Sequence, residues 1–239
     1  MDLLNDLKIQ IFADGANKKG IIDLSKQKYI SGFTTNPSLM KNSGIKNYEE
    51  FCLDILQSIT DKPISFEVFS DEFNEMYEQA LKISQWGENV NVKIPISNTK
   101  GESSKDLISS LTKEGVKLNI TAIFTLDQIE EAANSSKEST FTILSLFAGR
   151  IADTGRDPEK ICKEAAKVKN SINPDAKLLW ASPREIYNIF QAERSGCEII
   201  TVAHNILSKI GNLNKDLSTY SLETIKMFYD DAKKSGYKI

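Results

Sequence analysis

The side chains best suited to chemistry stand near the ends of short apolar runs. In the run Asn89–Pro95 the apolar residues share one strand parity, and Lys93 has the opposite parity. In a barrel of parallel strands, alternate residues point inward, and those near the carboxyl ends of the strands face the active site. The same reasoning directs Asp14 and Glu67 toward Lys93. Parity assigns further inward-facing side chains to the later runs: Asn119, Thr121, Ser145, Phe147, Trp180 and Ser182.

An amine, two carboxylates and several hydroxyls in one cavity predict Schiff-base chemistry. A lysine amine held in apolar surroundings is more readily uncharged, and the free amine attacks carbonyl carbon. One carboxylate can then move a proton during C–C cleavage, and a second carboxylate with a hydroxyl can hold a water molecule. The alternative is structural: Lys93 extends to solvent from a strand end, and Glu67 is its ion-pair partner.

The sequence has too few histidines and cysteines for most other kinds of catalytic or metal site. His204 is the single histidine, which excludes multi-histidine metal sites, and at a strand end we expect a structural role for it. Cys52, Cys162 and Cys197 are odd in number, far apart and without a CxxC pair, so we expect buried small side chains in place of disulfides or a zinc cluster. We expect no metal and no cofactor.

Eight apolar runs separated by helix-length polar segments must position these residues. Such repetition predicts a closed (β/α)8 barrel of the TIM type, with an open doubly wound sheet as the alternative. The open sheet usually has a glycine-rich first turn, whereas this chain has Asp14–Asn17 there. The predicted strands are Lys8–Asp14, Gly32–Ser38, Ile64–Phe69, Asn89–Pro95, Leu118–Thr125, Phe141–Arg150, Lys177–Ser182 and Glu198–His204.

Helices are predicted between the strands, with a further helical segment at the carboxyl end. We expect Ser70, Thr125, Asp157 and Ser182 to cap helices, and Pro158 and Pro183 to lie in first turns. Beyond His204 the chain continues through Leu207 to Ile210 and then through Ser221 to Lys234, which is more helix than one barrel unit needs. This extra segment either covers the barrel or packs against a neighbouring subunit. The predicted helices are Asn47–Thr60, Asp71–Trp86, Ser103–Glu114, Leu126–Ser135, Pro158–Ser171 and Pro183–Ser195.

Composition is that of one globular domain over residues 1–239. The chain is 40% hydrophobic, and its 30 Lys plus Arg are spread among 33 Asp plus Glu, for a formal net charge of −3. A basic stripe for nucleic acid is lacking, and the apolar runs are too short to span a membrane. The segment Met1–Asp6 lacks the pattern of a secretion signal, so we expect a cytoplasmic protein.

Six short motifs follow one another along the predicted strands: Phe12–Ala16, Thr34–Ser38, Val92–Pro95, Asn119–Thr121, Gly149–Ile151 and Ala181–Arg184. In content and order they resemble the motifs of the transaldolase family, which also contains the fructose-6-phosphate aldolases. Of these motifs, TTNPS and VKIP are the most specific to the family. The resemblance extends from about Ile9 to Val202 and implies a class I aldolase barrel that acts on sugar phosphates.

The resemblance also implies roles for individual residues. Lys93 matches the Schiff-base lysine, Asp14 the acid/base at the C4 hydroxyl, and Glu67 with Thr121 the pair that positions water. Arg150, Ser182 and Arg184 match a phosphate clamp, which suits guanidinium groups and the amino end of a helix at Pro183. The expected substrate-binding residues are Thr34, Asn36, Ser38, Asn119, Ser145, Phe147 and Trp180.

Several of these residues have structural alternatives. Asn36 can make an Asx turn, Arg150 can pair with Asp153, and Ser182 can be a helix cap. Trp180 and Phe147 can be core aromatics.

The resemblance leaves two reactions open. Glu67 and Phe147 resemble the transaldolases, whereas the fructose-6-phosphate aldolases have Gln and Tyr at these positions. In length, however, the chain is closer to the aldolases. Pro183 replaces the family's usual aromatic residue, which affects the geometry expected at the phosphate-binding residues. We favour transfer of a dihydroxyacetone unit between sugar phosphates, with cleavage that releases dihydroxyacetone as the alternative. A barrel that binds sugar phosphates without turnover is the third possibility. Separately, we expect the chain to form a homo-oligomer.

Overall fold

The strands close into a ring. A computed structural model of the chain describes residues 4, 6–139 and 141–238. Every strand is parallel to its neighbour, and β8 pairs with β1 through residues such as Phe12 and Thr201. The predicted (β/α)8 barrel is therefore confirmed, and the open sheet is excluded. The strands are β1 Gln10–Asp14, β2 Ile30–Thr34, β3 Ile64–Glu67, β4 Val90–Pro95, β5 Leu118–Ile123, β6 Thr142–Leu146, β7 Lys177–Trp180 and β8 Ile199–Ala203.

Helices surround the barrel and extend beyond it at the carboxyl end. A short 3₁₀ turn, Ile210–Asn212, precedes the last helix. The helices are α1 Lys18–Ser25, α2 Pro37–Asn42, α3 Tyr48–Ser58, α4 Phe73–Ser84, α5 Lys105–Lys113, α6 Leu126–Ser135, α7 Ala148–Ala152, α8 Pro158–Ile172, α9 Asn188–Arg194, α10 His204–Leu207 and α11 Leu217–Ser235.

Two of the predicted helix caps are confirmed. The Thr125 hydroxyl accepts the Gln128 N–H, and the Gln128 side chain accepts the Thr125 N–H, which is a complete capping box at α6. The Asp157 carboxylate accepts the Glu159 N–H at 2.9 Å, with Pro158 in the first turn of α8. Side chains that accept the free N–H groups of the first turn therefore fix where these helices begin.

Two other predicted caps are wrong. Ser182 has a positive φ of 62°, and α9 begins six residues later, at Asn188. The Asn188 side chain accepts the N–H groups of Arg184 and Glu185, at 2.7 and 3.1 Å, so a side-chain turn occupies the predicted first helical turn. Ser70 instead donates from its hydroxyl to Glu75, and α4 begins only at Phe73.

Predicted strands also extend too far where the chain turns early. The run Gly32–Ser38 includes the start of α2, because the Asn36 carboxamide accepts the Leu39 N–H at 2.9 Å and Pro37 opens the helix. The run Phe141–Arg150 likewise includes the first residues of α7. Short helices at the carboxyl ends of β2 and β6 were therefore missed.

The core has two layers. Inside the barrel, Phe12, Ile143, Leu179 and Ile199 pack together. The larger layer lies between the strands and the helices. The three cysteines are buried and free, which confirms the expectation that they serve as small core side chains.

The last helix lies apart from this core. None of the residues of α11 is buried, although the helix contains Ile225 and Phe228, which are 60% and 63% exposed. Among the described residues, no helix is long and apolar enough to cross a membrane. Most of the segment Met1–Asp6, on which the secretion-signal expectation rests, lies outside the described residues.

Candidate active site

A cavity of about 490 Å³ opens at the carboxyl ends of the strands. A wider depression of about 930 Å³ lies outside the barrel around Gly44–Gln57 and involves none of the predicted site residues. The barrel cavity gathers most of those residues in one place. It is lined by Asp14, Thr34, Asn36, Pro37, Ser38, Leu39, Glu67, Lys93, Asn119, Thr121, Ala122, Phe124, Ser145, Phe147, Arg150, Ala181, Ser182 and Thr201.

Lys93 lies in this cavity and is held by two oxygen atoms. Its residue is 8% exposed, its Nζ is 3.0 Å from Glu67 Oε2, and it donates to the Thr35 carbonyl at 3.0 Å. The inward direction predicted from parity is thus correct. The expected apolar surroundings are not found, because the amine is part of an ion pair. Glu67 is its partner, as the structural alternative held, yet both groups face the cavity.

Asp14 is the second carboxylate of the cavity. Thr34 donates its hydroxyl to Asp14 Oδ1 at 2.7 Å, and the Thr34 hydroxyl also contacts that of Thr201. Burial raises the pKa of the Asp14 carboxyl above its usual range, against the opposing effects of Lys93 and the Thr34 hydrogen bond. The negative charge of Glu67 adds a smaller increase. Such a carboxyl is suited to exchanging a proton.

A chain of polar side chains crosses the floor of the cavity. Ser145 donates to Asn119 Oδ1 at 2.6 Å, and Asn119 Nδ2 donates to Ser65 Oγ at 3.1 Å. These three residues are buried, so the hydrogen bonds fix their orientation. Thr121 lies one inward position above Asn119, beside Pro95 at the end of β4. The predicted hydroxyls and the amide are therefore close to Lys93.

The backbone of Glu67 has an unusual partner. The Tyr48 hydroxyl donates to the Glu67 carbonyl at 2.7 Å and accepts the Glu67 N–H at 2.9 Å. Tyr48 comes from α3, on the outer side of β3. The ring contacts Phe69 edge-on at 5.3 Å between centroids, and Trp86 at 6.1 Å.

Arg150 supplies a positive charge at the mouth of the cavity. Its guanidinium lies over the Phe147 ring, 5.4 Å from the centroid, and Phe147 stacks on Phe124 at 5.5 Å. Arg150 is exposed and lines the cavity. Phe147 is thus an aromatic wall of the site.

Of the other two predicted clamp residues, only Ser182 lines the cavity. The Arg184 guanidinium is paired with Asp153, on the exposed side of α7. The structural alternative for Arg150, an ion pair with Asp153, is therefore not the one found, since Asp153 pairs with Arg184. Gly149 brings α7 close to the loop after β7, since a Cβ atom at Gly149 would lie 1.6 Å from the Ser182 carbonyl oxygen.

Trp180 does not point into the barrel, so its predicted direction is wrong. Ser145 pairs with Leu179 across β6 and β7, and paired residues of parallel strands share a face. Leu179 therefore points inward, and Trp180 lies in the core layer beneath the helices, 1% exposed. Ala181 lines the cavity in its place.

The residues of the Thr34–Ser38 segment have different surroundings. Thr34 lies against Asp14, whereas Ser38 is exposed at the rim. Asn36 lines the cavity and also caps α2 through its side chain, so the predicted structural alternative is present alongside a position in the site.

Several residues that line the cavity or contact Lys93 were missed from the sequence. Thr201 occupies the inward parity of the predicted last strand, a signal that was available. Thr35 has the outward parity of β2 and contributes only its carbonyl, for which the sequence has no signal. Phe124 lies just beyond the end of β5, where strand parity no longer predicts direction.

His204 lies behind the Asp14 turn. A Cβ atom at Gly15 would be 2.6 Å from its Nε2, and one at Gly20 would be 2.7 Å from its Nδ1, so the ring packs against both glycines. Burial lowers the pKa of His204. Among the described residues, no group of three or more His, Cys, Asp and Glu side chains could hold a metal ion.

Sequence comparison finds a family and relatives to which this chain is similar. The profile of the family described as Transaldolase/Fructose-6-phosphate aldolase matches residues 11–239. A probable transaldolase of Thermoanaerobacter is 33% identical over 231 residues, which cover 97% of this chain and all of that protein. A probable transaldolase of Bartonella tribocorum is 31% identical over 97% of this chain and all of its own length.

Solved structures show a similar barrel at low sequence identity. A putative lyase/mutase of Burkholderia cenocepacia has a TM-score of 0.61 at 9% identity, covering 99% of this chain and 87% of its own. The tryptophan synthase α subunit of Campylobacter jejuni has a TM-score of 0.55 at 12% identity, covering 83% and 87%. These similarities concern the fold alone.

Proposed function

The chain belongs to the Transaldolase/Fructose-6-phosphate aldolase family, and on this premise we propose that it transfers a dihydroxyacetone unit from a ketose phosphate to an aldose phosphate. The observation that carries the proposal is the position of Lys93 in the barrel cavity, 3.0 Å from the Glu67 carboxylate. An amine at this place can form an imine with a keto carbon.

Imine formation begins with a proton transfer. The Lys93 amine gives a proton to a neighbouring carboxylate, Glu67 being in direct contact, and the free nitrogen then attacks the keto carbon. A C–N bond forms, and the former carbonyl oxygen leaves as water. In this proposal Glu67 and Thr121 hold that water, and the Ser145–Asn119 chain orients the dihydroxyacetone carbons.

Cleavage of the C3–C4 bond needs a base at the C4 hydroxyl. Asp14 takes the hydroxyl proton, the C4 oxygen becomes an aldehyde, and the electron pair of the broken bond moves toward the iminium nitrogen. The raised pKa of Asp14 suits this role, because a carboxylate whose pKa is raised accepts the hydroxyl proton more readily and can later return it. The aldose phosphate leaves, and an enamine remains on Lys93.

Transfer is completed by the reverse steps with a second aldehyde. The enamine carbon attacks the acceptor carbonyl, Asp14 protonates the new hydroxyl, and water hydrolyses the imine. The phosphate group of either substrate lies beside Arg150 and Ser182 in this proposal. Arg184 joins them only if its guanidinium leaves Asp153.

Other cavity residues have supporting roles in the proposal. Thr34 orients Asp14, and Asn36 and Ser38 contact substrate hydroxyls at the rim. Trp180 is no longer proposed as a substrate contact, since it lies in the core layer.

A product assay tests the proposed transfer. Incubation with fructose 6-phosphate and erythrose 4-phosphate is expected to form sedoheptulose 7-phosphate and glyceraldehyde 3-phosphate, with little product when the acceptor is left out. Formation of free dihydroxyacetone at the same rate without acceptor would contradict transfer and support cleavage. Saturable binding without turnover would support a non-catalytic sugar-phosphate barrel.

The second candidate function is aldol cleavage with release of dihydroxyacetone. Phe147 supports transfer over this cleavage, because the aromatic wall beside the cavity has no hydroxyl to assist protonation of the enamine by water. We expect Phe147→Tyr to increase dihydroxyacetone release relative to transfer. The same substitution at Phe124, which stacks on Phe147, is the matched control for a hydroxyl placed elsewhere in the mouth.

We also propose that the chain forms a homo-oligomer of single-barrel subunits. The support is α11, which exposes Leu217, Ile225 and Phe228 to solvent in the isolated chain. In a helical projection these apolar residues share one face, opposite charged residues such as Lys226 and Asp230. A second copy of the chain is the occupant we propose for this face.

A further inference from the structure

The ladder between β2 and β3 ends early, just where the active site begins. Phe33 donates its N–H to Pro63 at 2.8 Å, and Thr35 donates to Ser65 at 3.2 Å. Continued by the parallel pattern, the next bonds would join the Glu67 N–H to the Thr35 carbonyl and the Glu67 carbonyl to the N–H of residue 37. Residue 37 is Pro37, which has no N–H, and the chain there already turns into α2.

The groups left over are satisfied by two side chains. The Glu67 N–H and carbonyl both bond to the Tyr48 hydroxyl, at 2.9 and 2.7 Å. The Thr35 carbonyl accepts from the Lys93 amine at 3.0 Å. Buried peptide groups require hydrogen-bond partners, and these side-chain bonds replace the β2–β3 backbone hydrogen bonds that are missing here. The Tyr48 hydroxyl occupies the Glu67 N–H, which leaves the Thr35 carbonyl to Lys93.

We propose that Tyr48 is a positioning residue for the Glu67–Lys93 pair. Its hydroxyl holds the Glu67 peptide in place of the missing β2 partner and so fixes the Glu67 carboxylate. The Thr35 carbonyl is thereby left free to accept from the Lys93 amine. The inference builds on the function proposed above. Tyr48 is absent from the cavity lining and acts through Glu67, from the opposite side of β3.

Two features keep the hydroxyl in this position. The Tyr48 ring contacts the rings of both Phe69 and Trp86. The pKa of the phenol is raised, chiefly by burial, so the hydroxyl retains the proton that it donates to the Glu67 carbonyl. Asn47 caps α3 through the Glu50 N–H at 3.2 Å and fixes the backbone from which Tyr48 extends.

Tyr48→Phe is the direct test, because it removes only the hydroxyl and keeps the ring. Tyr77→Phe is the matched control, since that hydroxyl makes one exposed contact of 3.4 Å with Glu114, far from the cavity. We expect Tyr48→Phe to lower kcat about tenfold and to change KM by less than about twofold, because a small displacement of a catalytic group slows chemistry more than binding. A purely structural role would lower only the melting temperature.

A second measurement is independent of catalysis. We expect the Glu67 amide to exchange its hydrogen at least about tenfold faster in Tyr48→Phe than in the wild type or in Tyr77→Phe, because its acceptor is lost. Unchanged exchange, or an unchanged kcat in an active enzyme, would overturn the inference. If the wild type has no turnover, the proposed function fails, and the exchange rate still decides the role of Tyr48.

Discussion

Asp14 has an environment that differs from that of an ordinary, solvent-exposed carboxylate. Burial raises its pKa, so its ionised form is less favourable in the folded chain than in the unfolded chain. A raised pKa gives a contribution to stability that is present below the ordinary value of 3.8 and is lost as the pH rises through the folded value. At neutral pH the carboxylate therefore lowers the free energy of unfolding.

The first prediction follows from this sign. We expect Asp14→Asn to abolish turnover and to raise the melting temperature by about 2–4 °C at pH 8, with the gain shrinking toward pH 4. The amide oxygen can still accept the Thr34 hydroxyl, so the substitution removes mainly the charge. Thermal unfolding across this pH range measures the effect.

Asp71 is the control of opposite sign. Its carboxylate accepts the N–H and the hydroxyl of Thr99, and these hydrogen bonds lower its pKa. Asp71→Asn should therefore lower the melting temperature at neutral pH, or leave it unchanged. A stabilised Asp71→Asn together with a destabilised Asp14→Asn would contradict the account of both sites.

Parity predicted the inward direction of Lys93, and its failure at Trp180 has a physical cause. In β4 the polar and apolar residues alternate, so the direction of Lys93 is evident from the sequence. In β7, Leu178, Leu179 and Trp180 follow one another without alternation, because both faces of a barrel strand are buried. The Tyr48–Glu67 contact joins distant elements through one hydroxyl, and no local pattern indicates it.

At the scale of elements, the site depends on the short segments that follow the strands. Helices α6 and α8 were predicted at their first residues, because Thr125 and Asp157 satisfy the free N–H groups locally. The start of α9 was not, because Asn188 lies beyond the apparent Ser182–Pro183 start signal. Helix α7 was missed, because its five residues continue the apolar run of β6.

Two such segments approach closely at Gly149. We expect Gly149→Ala to cost about 1–3 kcal/mol of unfolding free energy and to raise KM for phosphorylated substrates, since the new methyl would overlap the Ser182 carbonyl. Gly211→Ala, where a Cβ atom would meet nothing within 4 Å, should change stability by less than about 0.5 kcal/mol. Equal stability of the two variants would show that the loop after β7 is not constrained by α7.

At the scale of the whole molecule, eightfold repetition was enough to predict the barrel. The fold recurs in the tryptophan synthase α subunit at 12% identity, so closure of the barrel carries little information about the reaction. The proposed reaction depends on Lys93, Glu67 and Asp14, which meet because β1, β3 and β4 end at the same face of the barrel.

The exposed face of α11 leads to a prediction about assembly. We expect the full chain to be oligomeric by light scattering, and Ile225→Asp combined with Phe228→Asp to give monomers, because charges would be buried in the proposed contact. Lys226→Glu on the polar face is the control and should leave the mass unchanged. A monomeric wild-type chain would contradict the proposed contact.

Borohydride trapping tests the central claim most directly. The chain is treated with borohydride in the presence of fructose 6-phosphate and digested, and the masses of its peptides are measured by mass spectrometry. We predict a reduced sugar adduct on the Lys93 peptide and none on the peptide of Lys169, a buried lysine paired with Glu198 outside the cavity. An active enzyme that shows no adduct, or an adduct on another lysine, would contradict the proposed imine at Lys93.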